Sequence, residues 1–434
     1  MAQRLAKWHR LDNSAKIYPM MVNKQNQNLF RIAYEMQQPV DPTLLQQALE
    51  LTLTRFPSFK VKLMKGIFWY YFDTNDMKPK IHAMDDVAYA KITHNNCNGY
   101  PFRVNWFRNM VAVDFFHAVT DGAGANEFVK SLIYTYLNLA GHNIYPDCKI
   151  KTVGSPIDPK ELEDSFVANY RKVRLKDLQI NSLKGKPAYR IQGILLEGNG
   201  KGILHMYCDV RKLLDICHDM HCTITELLGA LLILSVYETQ VKDNPAKVDD
   251  MQLFLPINLR KFFHSRTLRN FTLFSRVSAD WNTDMQLETL IARIHDSLAR
   301  DMDKQLLSDK IATTVRGEKF MLFRLMPLFL KKIVFNVGNV FFGKNKRTAT
   351  FSNIGIVDLP EDMRAHVRHV HFTIGANPKS PFTMTAASTF GELCISFVRA
   401  FGSTDIERRF ARYLTDLGID VSVASNFWEV DHAL

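Results

Sequence analysis

Cysteine is scarce in this chain. Six residues (Cys97, Cys148, Cys208, Cys217, Cys222 and Cys394) are spread over 434 positions, which is no disulfide framework, so they read as reduced, mostly packed thiols. The first residues, MAQRLAKWHRLDNSAKIYP, lack the apolar core of a secretory signal, and a cytoplasmic location is expected. Low-complexity tracts and short-period repeats are missing too, which excludes solenoids and long disorder. The most apolar and basic stretch, 310–347, contains Arg324 and the pair Lys331–Lys332, which leave no run as long as the roughly 18 apolar residues of a membrane span.

What is present is an ordinary globular composition, 47% apolar and 23% charged, in a length that suits two domains. Net charge is +11 and uneven: between Lys310 and Arg347, nine Lys or Arg stand against one acid, Glu318. Basic residues mixed with FMLFRLMPLFL and IVFNVGNVFF leave three readings open: a solvated helix face over a core, an anionic-ligand site, or a membrane-surface contact. Without an aromatic stacking platform or a recognised motif, the stretch does not point to nucleic acid.

Strand and helix patterns alternate. DPTLLQQALELTLTRFP predicts a helix capped by Asp41, with Leu45, Leu49 and Leu53 as its apolar stripe. FKVKLM and IFWYYF predict a hairpin turning at Lys65-Gly66, and FRVNWF and MVAVDFF another turning at Arg108-Asn109. ANEFVKSLIYTYLNLAG predicts a helix. The polar, proline-containing middle reads as a crossover between domains, placing an N-terminal domain at 1–165, a linker at 166–190 and a C-terminal domain at 191–434. In the second half ILLEGNGKGILHMYCDV predicts a hairpin, and its GNGKG lacks the context of a phosphate loop. Thr223 and Glu226 predict a capping box, DMQLETLIARIHDSLARDMDKQLL one long helix, and DIERRFARYLTDLG the helix that ends the fold. The fold class is α/β (α+β) with mixed sheets in two similar halves.

FFHAVTDGAG carries the chemistry. His117 ends an apolar strand pattern, where an imidazole suits a general base. Asp121 is either a helix cap or a buried carboxylate in need of a cation, and Gly122 and Gly124 leave space beside the ring. CHDMHC, from Cys217 to Cys222, has no second ligand cluster at structural-zinc spacing, so no metal is expected. HVRHVHF reads as a solvated strand.

The run from His117 to Gly122 resembles the HxxxDG signature of the chloramphenicol-acetyltransferase-like and condensation-domain superfamily. RLDNSAKIYP, TLTRFPSFKVKLMKGIFWYYF, PINLRKFFHSRTLRNF and SNIG are similar, in order and spacing, to its bacterial alcohol-acetyltransferase-like branch. Phe116 replaces the second histidine usual in condensation domains, and the plant enzymes' DFGWG is missing. The resemblance implies two domains, each a mixed sheet backed by helices, with a channel between them. It implies that His117 deprotonates an alcohol or amine, which attacks an acyl thioester without a covalent acyl-enzyme. Acyl-CoA is then the expected co-substrate, with no bound cofactor, and a carrier-protein thioester the alternative donor. Oxyanion candidates are Ser352 and Asn353. Asp121 would be structural, paired with Arg260 or, in reserve, Arg55. Lys344, Lys346 and Arg347 are candidates for the donor phosphates.

Overall fold

The computed structural model describes residues 8–23, 26–84, 88–147, 149–172, 187–244, 248–280, 284–320, 324–338 and 347–426. Three sheets organise them. The five-stranded sheet runs, edge to edge, 367–374, 29–36, 110–116, 102–107 and 81–83. It is antiparallel except for the last pair, which is parallel. The seven-stranded sheet runs 272–279, 251–258, 349–356, 382–389, 392–399, 202–209 and 422–425. Its strand 349–356 lies parallel to both neighbours, which makes this sheet mixed as well. A small sheet joins 8–10, 70–74 and 61–65.

Local chemistry sets the elements. Asp41 caps Pro42–Arg55 by accepting from the backbone N–H of Thr43 and Leu44, and Leu45, Leu49 and Leu53 are buried. That helix packs beside Gly122–Leu139, which buries Phe128, Leu132, Ile133 and Tyr136 over the five-stranded sheet. Phe56, Phe59, Phe102, Phe115 and Phe128 meet there in edge-to-face and stacked pairs. The Thr223–Glu226 capping box forms and starts Ile224–Asp243. This helix is long and apolar enough to cross a membrane, but it is mostly buried in the second core. Leu287–Asp301 and Asp405–Asp416 pack against it.

Four expectations need correction. Residues before Gly202 form no hairpin partner, because strand 202–209 is internal and both its edges are taken, by 392–399 and 422–425. The long helix of the second half breaks at Met302, because Asp303 caps a new helix, Lys304–Lys319, by accepting from the Leu306 N–H. The helix 405–416 does not end the fold, since strand 422–425 follows it. HVRHVHF is solvated only on the Arg368 side: Arg368 is exposed, whereas His371 is 3% exposed.

The last correction has a topological cause. Strand 367–374 comes from the second half of the chain but pairs with 29–36 in the first sheet. It also packs against 382–389 and 392–399 of the second sheet. Thr383 donates to the Ile374 carbonyl at 2.7 Å, Thr385 to the Phe372 carbonyl, and the Tyr207 hydroxyl bonds His371 at 2.9 Å. One strand thus splices the two sheets, and a cleft remains between them.

Candidate active site

The cleft contains a cavity of about 1340 Å³. His117 stands in its wall, at the turn that follows strand Met110–Phe116. Its backbone N–H donates to the Asn28 carbonyl at 3.0 Å. The ring stacks on Tyr18 with centroids 4.3 Å apart and meets Phe30 edge-on at 5.0 Å. Nδ1 lies 3.0 Å from Oδ1 of Asn270. The Asn270 amide nitrogen points away, to Asp12 Oδ2 at 3.3 Å, so its oxygen faces the ring. Nδ1 therefore carries the proton and donates, which leaves the Nε2 lone pair free. Nε2 is 3.5 Å from the Tyr18 hydroxyl, too long for a strong bond. Burial lowers the His117 pKa, partly offset by the Asp121 charge and the Asn270 bond.

Asn270 is held in turn. Asp12 is fully buried, accepts from the N–H of Ala15 at 2.7 Å, and lies 3.7 Å from the Arg269 guanidinium. Burial pushes its carboxyl from 3.8 to about 6, against the opposing pull of Arg269. The Arg269 guanidinium donates to the Leu162 and Arg10 carbonyls. Asp12, His117 and Asn270 come from three distant segments, and no spacing connects them. Asp12 and Asn270 do sit inside RLDNSAKIYP and LRNF, stretches whose resemblance singled them out without assigning a role.

Asp121 is both cap and ion-pair partner. Its carboxylate caps Gly122–Leu139 by accepting from the Gly124 N–H at 3.1 Å. It also accepts two bonds from Arg260, at 2.9 and 3.0 Å, one from the Phe271 N–H at 2.8 Å and one from the Thr272 hydroxyl at 3.0 Å. Although burial opposes it, these donors hold its pKa below the ordinary carboxylate value. Arg55 is engaged elsewhere, in a two-bond pair with buried Glu161. Gly124 is required by packing: a Cβ there would lie 2.0 Å from the Leu268 carbonyl oxygen. Gly122 lines the cavity, and its Cβ would come within 3.1 Å of Ile354.

Ser352 and Asn353 line the same cavity as His117. The Asn353 side chain is occupied, donating to Thr225 at 3.2 Å and accepting from the Gly355 N–H at 2.8 Å. Ser352 makes no side-chain hydrogen bond among the described residues. Arg347 also lines the cavity and lies over the Phe254 ring, with Arg276 over the same ring. Arg300 and Lys310 add charge to this wall, although Lys310 is paired with Asp301 at 2.8 Å. Lys344 and Lys346 lie outside the described residues.

A second polar cluster lies along the splice. His205, His371 and Cys394 have ligand atoms within 4.8 Å of one another. The two imidazoles stack with planes 12° apart. An ion must lie near the plane of each imidazole that binds it, and stacked rings do not share such a point.

No family model matches the chain, and no curated sequence does. Solved structures do. The starter condensation domain of rhizomide synthetase, a mutant solved with C8-CoA, is 13% identical with a TM-score of 0.61, covering 95% of each chain. TRI3 trichothecene 15-O-acetyltransferase from Fusarium sporotrichioides is 11% identical with a TM-score of 0.59, covering 94% of each chain. TRI101 from F. sporotrichioides, solved with coenzyme A and T-2, is 11% identical with a TM-score of 0.60, covering 97% of this chain and 100% of that one. The chain shares the fold of these condensation-domain and acetyltransferase structures. His117, Asp121 and Gly122 line the cavity in the cleft between the sheets.

Proposed function

We propose that the chain is an acyltransferase that moves an acyl group, such as acetyl, from a coenzyme A thioester to an alcohol or amine. The observation that carries this reading is the fixed tautomer of His117. The Asn270 carbonyl oxygen accepts from the Nδ1–H, and Nε2 is left as the base within a cavity of about 1340 Å³. Nε2 accepts the proton of the acceptor hydroxyl or amine as its oxygen or nitrogen bonds to the thioester carbonyl carbon. The C–S bond then breaks, and the thiolate takes the proton back from the imidazolium. No covalent acyl-enzyme is needed.

Ser352 is the oxyanion donor in this reading, because its hydroxyl is uncommitted and lines the same cavity. Asn353 acts indirectly, by shaping the turn beside it. Asp121 and Arg260 fix the start of the helix that follows His117. Arg347, Arg276 and Arg300 suit the donor's phosphates, since guanidinium groups bind them by charge-assisted bonds.

The test is thiol release from a panel of acyl-CoA donors with pooled alcohols and amines. Acceptor-dependent release that disappears in His117→Ala supports the reading. Release only with an acyl group on a carrier protein would shift the donor to that class, which the likeness to condensation domains keeps open. Saturable binding without turnover would make the chain a ligand-binding member of the fold.

A further inference from the structure

Beside one mouth of the cavity the surface is apolar and basic together. The tip of hairpin 61–74 exposes Ile67 by 75% and carries Phe68 next to it. Across from it Phe320, Leu325, Phe329, Ile333 and Val334 are exposed, the last three on helix Leu328–Gly338. The two elements are joined: the Leu328 N–H donates to the Ile67 carbonyl at 2.9 Å, and Lys331 Nζ to the Phe68 carbonyl at 2.8 Å. The exposed side chains therefore sit on two elements tied together by one main-chain bond and one lysine side-chain bond.

This surface adjoins the cavity. Trp69, Gly317 and Glu318 line it, immediately next in sequence to Phe68 and Lys319. The short helix Tyr18–Met21, whose Tyr18 stacks on His117, packs against helix Leu328–Gly338.

Charge selects the occupant. Lys65, Lys319 and Arg324 are exposed around the apolar side chains, and the sequence from Lys319 to Arg347 contains no Asp or Glu. A second copy placed face to face would set cations against cations. An anionic lipid surface pairs them while the apolar side chains enter the headgroup boundary.

We propose that this face docks on an anionic lipid bilayer and turns the cavity mouth at Trp69 toward the lipid. The acceptor class that suits such a mouth is a lipophilic alcohol or amine. That last point rests on the acyl-transfer reading, whereas docking is measured without turnover and fails separately.

The experiment is sedimentation of the full chain with vesicles of phosphatidylcholine alone and of phosphatidylcholine with phosphatidylglycerol, at low and raised salt. The wild type is expected to sediment with the anionic vesicles and to be released by salt. The double variant Ile67→Ser, Phe329→Ser should partition about tenfold or more weakly, from the loss of two large apolar contacts. The double variant Lys65→Glu, Arg324→Glu changes exposed positions only, so it keeps the test decisive if the serine variant does not fold. It should lose the preference for anionic vesicles. Wild-type protein left in the supernatant with both vesicles would overturn the proposal. So would variants that bind as well as the wild type. A dimer that the serine variant dissociates, with no vesicle binding, would assign the face to a second copy instead.

Discussion

At the scale of single residues, the proposed acyl transfer depends on one imidazole and the groups that orient it. His117→Ala should lower turnover by about 10²–10⁴-fold with little change in melting temperature, measured by thiol release and thermal unfolding. Burial lowers the His117 pKa, so the imidazole stays neutral below its ordinary 6.5. The pH profile of kcat/KM should accordingly be flat near neutrality and fall on the acid side, with its inflection below 6.5. The Asn270 bond raises that pKa, and in the proposed reaction Asn270 positions the ring. Asn270→Ala should move the inflection further to acid and reduce turnover on the order of 10- to 100-fold, as expected of a misplaced catalytic group. An unmoved inflection would show that Asn270 only packs. Asp12 gives a second pH signature. Its folded pKa, about 6, lies above its ordinary 3.8, so folding takes up a proton between those values. That contribution favours the fold at the acid end of the window and is withdrawn as pH rises through about 6. Asp12→Asn should remove this component from a plot of unfolding free energy against pH.

At the scale of elements, the start of helix Gly122–Leu139 is the critical junction. One carboxylate, that of Asp121, satisfies the helix cap, Arg260, Thr272 and the Phe271 N–H together. Removing it leaves a mostly buried guanidinium without its ion pair, which costs on the order of 3–5 kcal/mol. Asp121→Ala and Arg260→Ala should therefore lose similar stability in denaturant unfolding, whereas Arg55→Ala should act through Glu161 and leave this junction alone. Because the Asp121 pKa is lowered in the fold, its contribution holds above the ordinary 3.8 and is lost as pH falls through the lower value. Gly124→Ala tests the close approach of the Leu268 carbonyl. A Cβ at 2.0 Å must displace backbone, and overpacking of this kind costs about 1–3 kcal/mol.

At the scale of the whole molecule, the splice by strand 367–374 makes the halves interdependent. A fragment of residues 1–165 lacks that strand and exposes the edge of 29–36, with its unpaired backbone groups. Expressed alone it should aggregate or lack fixed tertiary structure, read by near-ultraviolet circular dichroism. Co-expression with residues 166–434 should rescue it. A soluble, cooperatively folding fragment would show that the splice contributes little.

The sequence by itself determined the local elements and the motif. Asp41, Thr223 with Glu226, and the Leu45–Leu49–Leu53 stripe act within a few residues of one another, so their chemistry is legible in the order of the chain. His117, Asp121 and Gly122 are legible for the same reason, as six consecutive positions. What lies between distant segments was not legible. Nothing in the spacing brings Asn270 and Asp12 to the ring of His117, or divides Arg260 and Arg55 between Asp121 and Glu161. HVRHVHF shows the limit most clearly. Alternating polar residues normally mark a strand with one wet face, but here the second sheet covers that face, and Tyr207 and Glu392 bond His371 and His369. Polarity along a strand records which groups must be satisfied. Whether water or another sheet satisfies them is decided only when the sheets are assembled.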